Sequence, residues 1–345
     1  MKEGISVVIP CYNSANRLES TLQHLANQKV PDNILWEIVI VDNASTDNTR
    51  ERALSIWHAL NVDLPFKIVT EHVQGLSAAR RRGFEESQFE YVVFCDDDNW
   101  LNENYIRICF EVMTNDPSIG ILGGLGVPIT DGSLPAWFDS RITGYGQGKQ
   151  NDKSGDITNQ KGYVYGAGFV IRRSAWELIH QYDFPQFLSD RKGNKLTSGG
   201  DVELCYAIRI AGYKIWYDER LHFKHFLPKH RLSWKYYLKL KQMAHGANPV
   251  MHAYNYILSL NEQQYVRPSR FYWVYMSLQL FGSIKKKYWK VIILSFFYRL
   301  EGNGALKAYY SSKGQLIGWL RIRSRYADIC DLINSFKNKT VNNSL

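Results

Sequence analysis

Apolar residues follow two rhythms along this chain. Short runs rich in β-branched and aromatic residues stand at 5–9, 36–41 (WEIVIV), 66–69 and 91–95, and each reads as a strand buried on both faces, as in a parallel sheet. Between them, apolar positions recur three and four residues apart: Leu18, Leu22 and Leu25; Ala53, Ile56, Trp57 and Leu60; Ile106, Cys109, Phe110 and Met113. These are helix faces, and an Ala- and Arg-rich stretch after Gly75 adds another helix. Strands alternating with helices across short connections imply βαβ units with right-handed crossovers.

The rhythm then breaks. Residues 120–162 are rich in Gly, Ser, Asp and Asn and read as an ordered excursion followed by a mobile loop, a lid or acceptor platform. YVYGAGFVIRR reads as a strand interrupted by Gly166 and Gly168, where a close approach and a simple bulge would each call for glycine. After Ser198, Gly199 and Gly200, Asp201 can cap a helix whose buried face is Leu204, Ile208 and Ala211; Gly212 ends it, and 214–217 is a strand.

The stretch YVVFCDDDNW places Asp96, Asp97 and Asp98 directly after a buried strand. Carboxylates cannot extend such a strand without partners, so it ends there, at the sheet's carboxyl edge, where open α/β sheets bind ligands. Adjacent carboxylates repel, and Mg²⁺ or Mn²⁺ completed by phosphate oxygens is the simplest neutraliser; a solvated turn or a helix N-cap is the alternative. No G-x-G-x-x-G follows the first strand and no G-x-x-x-x-G-K-[ST] occurs, so no glycine loop cradles phosphates and a metal ion would have to hold them.

Composition narrows the class. The 345 residues, 45% of them apolar, suffice for a large α/β domain and an appendage. Five scattered cysteines argue for a reducing compartment without disulfides or a zinc site. MKEGISVVIP runs straight into a strand without a signal peptide's apolar region, so a cytoplasmic location is expected. The formal charge of +9 is unevenly placed: residues 1–227 carry 23 Lys/Arg against 29 Asp/Glu, and residues 228–345 carry 19 against 4. The basic third suits a polyanionic partner.

SVVIPCYN, VDNASTDNT, GLSAARRRG, FCDDDNW, GAGFVIRR, GGDVELCYAIRIAGYKIWY and HFKH, in that order, resemble glycosyltransferase family 2 over roughly residues 4–227. The resemblance implies a GT-A fold, Rossmann-like with a mostly parallel sheet flanked by helices, and an inverting transfer from a sugar nucleotide. By the same resemblance Pro10, Tyr12, Asn13 and Asp42 would line the nucleoside pocket, and Gly75 and Arg80 belong to the stretch that closes over the nucleotide. Asp96 and Asp97 would contact ribose and donor sugar, Asp98 would bind Mn²⁺ or Mg²⁺ as the last Asp of a D-x-D pattern, His225 would close the metal or diphosphate site, and Asp201 would be the general base. Two positions depart: Arg81 stands where the family usually has Asn, and Gly200 where it usually has Glu. Asp201 is then the sole candidate base unless Glu203 reaches in. His222 and His230 read as structural, and Lys229 and Arg231 either grip a diphosphate or solvate a turn.

Beyond His225 the resemblance ends and a basic, aromatic-rich helical region, 228–345, begins. FYWVYMSLQLFGSI and VIILSFFY, separated by KKKYWK, are each shorter than the ~20 residues that span a bilayer. They suit a helix lying in an anionic membrane interface, and equally a helical subdomain with a solvated basic face. The expected activity is metal-dependent transfer of a sugar, UDP-linked by default, to a glycan or lipid-linked hydroxyl in surface polysaccharide or O-antigen synthesis, on the inner face of the membrane. A nucleotidyltransferase and an inactive transferase-like scaffold are the rivals; nucleic-acid binding is not expected, for want of a recognisable module.

Overall fold

The computed structural model describes residues 2–138, 144–191, 198–260, 264–298 and 300–342. Its strands are β1 (Lys2–Cys11), β2 (Trp36–Asn43), β3 (Phe66–Glu71), β4 (Phe89–Phe94), β5 (Asn99–Leu101), β6 (Ile119–Ile129), β7 (Gly155–Asp156), β8 (Val170–Arg172) and β9 (Lys214–Phe226). Its helices are α1 (Leu18–Ala26), α2 (Thr49–Leu60), α3 (Leu76–Glu86), α4 (Tyr105–Asn115), α5 (Arg173–Gln181), α6 (Gly200–Ile210), α7 (Trp234–His245), α8 (Asn248–Ser259), α9 (Tyr272–Phe297), α10 (Gly304–Ile322) and α11 (Arg325–Asn342).

The strands form one sheet in the order β3-β2-β1-β4-β8-β6-β9-β5, with β7 on β9. The first four are parallel, as the apolar runs predict. β8 runs antiparallel to both β4 and β6, β9 is parallel to β6, and β5 is antiparallel to β9, so the sheet as a whole is mixed. Alternate residues of each central strand serve opposite faces. Val7, Ile9, Ile38, Ile40 and Val93 pack under α1, α2 and α4; Val8, Val39, Val41, Val92 and Phe94 pack under α3, α5 and α6.

Two sequence expectations change. Residues 119–129 belong to a strand in the middle of the sheet, not an excursion. In YVYGAGFVIRR only Val170–Arg172 is strand, and Gly166 and Gly168 lie in the turn before it. As expected, the apolar runs of the basic region are helical, and with the lysines between them they form one 26-residue helix, α9.

The helices after β9 are not set apart from the sheet. Val250, Ala253, Tyr254 and Ile257 of α8 and Ile329, Cys330, Ile333 and Phe336 of α11 share one core with α6 and the sheet. α7 and α10 enclose a second cluster around Trp234, Tyr237, Leu238 and Leu306. All five cysteines are buried and free. Among the described residues no helix is long and apolar enough to cross a membrane.

Candidate active site at the carboxyl edge of the sheet

β1, β2 and β4 end side by side, and the loops that leave them open into a cavity of about 1130 Å³. Pro10, Tyr12, Asn13, Gly75, Arg80, Asp96, Asp97, Asp98, Asp201 and His225 all line it. Asp42 does not: its Oδ1 accepts the Ser45 N–H at 3.3 Å, and its neighbour Asn43 faces the cavity instead. Asn43 donates to the Glu71 and Val73 carbonyls at 3.1 and 2.8 Å and accepts the Gly75 N–H at 2.8 Å, which fixes the turn carrying Gly75. Asn13, with φ at 51°, accepts from the Thr46 N–H at 2.8 Å and so joins the loops after β1 and β2. Asn tolerates that left-handed backbone better than most residues.

The three aspartates differ in environment. Asp97 is braced by Arg17, whose Nη2 lies 2.6 Å from Oδ2, and by the Ser14 hydroxyl. Asp98 lies with its Oδ2 3.0 Å from Arg231 Nη1 and its Oδ1 3.5 Å from His225 Nε2. Burial works to raise its carboxyl, but His225, Arg231, Arg191 and Arg17 together outweigh that and hold it below the usual range. Burial also pushes the His225 imidazole down, against Asp98 and with help from Arg231 and Arg191. Arg231 is the permanent cation beside Asp98, which takes that arginine out of the solvated turn.

Asp96 has its nearest cation, Arg80, 3.9 Å away. Burial pushes its carboxyl up to about 7, against the pull of Arg80 and with the push of Asp98 and Asp97. With a folded value above the ordinary 3.8, the group's stabilising contribution is complete below about pH 4 and lost as pH rises through 7. Asp96→Asn removes that loss. In thermal melts of the ligand-free protein, the variant is expected to exceed the wild type by several degrees at pH 8, at about 2–4 °C per kcal/mol, and by much less at pH 5. An equal gap at both pH values would mean that Asp96 is ionised throughout.

Asp201 faces these carboxylates from the first turn of α6. Gly199, with φ at 114°, is the N-cap residue, so Asp201 does not cap the helix. Its Oδ2 accepts the Gly166 N–H at 2.8 Å and its Oδ1 the Val202 N–H at 2.8 Å. A Cβ on residue 166 would stand 2.9 Å from both Arg80 Nη2 and the Asp201 Cβ, so close approach explains this glycine.

Glu203 does not reach in. It turns into the core, where its two oxygens accept the Phe187 and Leu188 N–H groups at 2.9 and 2.7 Å. The second carboxylate beside Asp201 in the cavity wall is Asp190, which no motif marks. It is buried, its Oδ2 lies 2.9 Å from Arg80 Nη1, and its Oδ1 accepts the Gly200 N–H at 3.0 Å. It also accepts the Asp201 N–H; burial and Asp201 push its carboxyl up, against Arg80 and those two N–H groups. A side chain at residue 200 would meet the Asp190 carboxylate at 2.9–3.1 Å. Gly200 therefore makes room for a carboxylate delivered from another loop. The chain Asp96–Arg80–Asp190–α6 links the acidic loop to the start of α6. Arg80 lies inside that link, buried over the rings of Phe94 and Phe169, rather than on a closing flap.

Among the described residues no three His, Cys, Asp or Glu side chains enclose a metal ion. Asp98 and His225 face each other and offer two donors, one carboxylate oxygen and one imidazole nitrogen. That set fits Mn²⁺ or Mg²⁺ completed by diphosphate oxygens and water, not a closed all-protein site.

Residues 6–179 match Glycosyl transferase family 2, half of the chain. The glycosyltransferase AglE of Haloferax volcanii is 24% identical over 214 residues, 61% of this chain and 63% of that protein. The poly-beta-1,6-N-acetyl-D-glucosamine synthase of Staphylococcus epidermidis is 28% identical over 123 residues, 35% of this chain and 28% of that protein. The chain thus spans less than two thirds of the length of these relatives. Among solved structures, the mannosyltransferase PcManGT from Pyrobaculum calidifontis, in complex with GDP-Man and Mn²⁺, superposes with a TM-score of 0.55 at 18% identity, covering 94% of this chain and 87% of that one. S. aureus TarS 1-349 in complex with UDP-GlcNAc gives 0.51 at 16% identity, covering 99% and 92%. Both likenesses are of fold, GT-A with helices following the sheet.

Proposed function

The chain belongs to glycosyltransferase family 2, and on that premise we propose that it moves a sugar from a nucleoside-diphosphate donor to a hydroxyl of a glycan or lipid-linked acceptor, in the synthesis of a surface polysaccharide or O-antigen. One observation carries the reading: Asp96, Asp97, Asp98 and Asp201 line one and the same cavity at the sheet's carboxyl edge. The names of the polysaccharide-synthase relative and of the UDP-GlcNAc and GDP-Man complexes support the substrate class. A UDP-sugar is the default donor.

The residues then divide the work. Pro10, Tyr12, Asn13 and Gly75 bound the nucleoside, with Asp42 behind them. Asp96 faces the ribose and the donor sugar, and Asp97, held by Arg17, keeps the acidic loop in shape. Asp98 and His225 would hold the divalent ion, which supplies Lewis-acid stabilisation of the departing diphosphate. Arg231 adds a fixed positive charge beside it. Asp201, anchored by the Gly166 N–H, takes the acceptor's proton as its oxygen attacks the anomeric carbon. Attack from the side opposite the leaving diphosphate inverts that centre in one displacement, and no covalent intermediate on the protein is needed.

A ligand that binds only the folded state raises the melting temperature. UDP, GDP, dTDP and CMP are compared with and without Mn²⁺, on the wild type and on Asp98→Ala. One nucleoside diphosphate is expected to add about 2.7 kcal/mol of stability at a hundredfold excess over its Kd, only with the metal and not in the variant. Absence of stabilisation by all four would overturn the donor site described here.

A further inference from the structure

α9 buries only Ser277 and Val291 of its 26 residues. One side rests on α10, and Met276 on that side reaches the wall of the active-site cavity. The other side meets nothing among the described residues. Phe271, Tyr275, Leu278, Trp289, Ile293 and Phe296 are exposed there, spaced three, four or seven to eleven residues apart, so they lie in one stripe along the helix. The stripe ends in Phe296 and Phe297, 80% and 76% exposed. An exposed apolar stripe along a folded chain, broken only at Gly282 and Lys285, marks a binding surface.

We infer that this face of α9 docks on an anionic lipid surface, with the helix lying in the plane of the interface. Charge selects the occupant. Residues 264–298 contain no acidic side chain, whereas Lys285, Lys286, Lys287 and Lys290 are all exposed within the helix. Lys285 stands in the stripe itself. In a two-fold pairing of α9 with a second copy of this chain, those lysines would meet their own kind in a desolvated seam, a like-charge arrangement that disfavours association. Against acidic headgroups the same lysines are attracted, their alkyl stems lying on the apolar surface while the ammonium groups reach out. Aromatic residues of the stripe would enter the boundary between headgroups and acyl chains. No described helix is apolar and long enough to cross the bilayer, so α9 lies on it. Because Met276 of the same helix lines the cavity, docking brings the cleft to within roughly a helix diameter, ~10 Å, of the lipid, where a lipid-linked acceptor would reach it; that last consequence rests on the transfer reading, and the docking itself does not.

Co-sedimentation of the purified full chain with vesicles tests this without nucleotide or metal, so its failure is separable from failure of the donor site. The wild type is expected to pellet with phosphatidylcholine vesicles containing about one third phosphatidylglycerol, to release in high salt, and to stay in the supernatant with phosphatidylcholine alone. Replacing Lys285, Lys286 and Lys287 with Ala is expected to weaken partitioning by about fivefold per lysine. Phe296→Ser with Phe297→Ser is expected to abolish it. Because these side chains are exposed, all variants should keep the wild-type melting temperature. A wild type that ignores anionic vesicles overturns the inference, as does equal binding to neutral ones. A dimer in light scattering that the same Phe variants dissociate would give the surface to a second copy instead, and would also overturn it.

Discussion

Asp201→Asn is expected to lower the transfer rate by about 10³-fold, within the 10²–10⁴ that a positioned general base contributes. The amide keeps the size of the carboxylate and can still accept the Gly166 N–H through its oxygen, giving up only the acceptor for the adjacent Val202 N–H, so the turn before β8 should hold. What is lost is the capacity to take the acceptor's proton. Binding of the donor should be untouched, because the side chain of Asp201 hydrogen-bonds only the Gly166 and Val202 N–H groups and none of the groups assigned to the donor. The check is a single-turnover rate beside a donor titration on the same preparation: the rate falls while the donor Kd stays within about twofold. An undiminished rate would remove Asp201 from the chemistry and favour an inactive scaffold if no other variant mattered.

Asp190→Ala should have the largest effect on stability. It leaves the Arg80 guanidinium, itself only 7% exposed, without its closest carboxylate. It also takes the acceptor away from the Gly200 and Asp201 N–H groups at the start of α6. Breaking a buried pair by removing one partner costs about 3–5 kcal/mol, or on the order of 5–15 °C in melting temperature for a protein of this size. Asp190→Asn keeps an acceptor for the helix and should cost less, yet it weakens the link through Arg80 and loosens the position of Asp201. For that variant the expected signature is a 10- to 100-fold lower kcat with donor affinity unchanged. A merely structural role for Asp190 would lower the melting temperature in both variants and leave kcat per folded molecule alone.

The legible part of the site was the acidic triplet. Asp96, Asp97 and Asp98 follow a run that could only be a buried strand, and their chemistry needs no knowledge of other segments. The different surroundings of the three could not be read. Arg17, which holds Asp97, sits in PCYNSANRL with nothing to distinguish it from any helix-start arginine. Asp190 lies in FPQFLSD, where no spacing points to it; the one available clue was negative, the glycine at residue 200 where a carboxylate is usual in the family.

Glycine misled the reading of the fold in the same way. Gly120, Gly123, Gly124 and Gly126 made 119–129 look like a loop, because local composition cannot tell a flexible segment from a crowded one. In the sheet, side chains there would collide with Tyr213, Val164, Leu221 and the loop at 146–147, so the strand gives up β-branched residues to let its neighbours approach.

By itself the sequence determined the parallel βαβ half, the carboxyl-edge position of the acidic loop and the family, since each depends on periodicity or order along the chain and on groups close together in it. The tertiary structure alone decided that β6 threads the centre of a mixed sheet, that Asp190 fills the place left by Gly200, and that α9 keeps an apolar face without a partner among the described residues. Those outcomes depend on which surfaces meet after the chain has folded. Residues tens to more than a hundred positions apart share no local signal, and only packing and the pairing of buried charge bring them together.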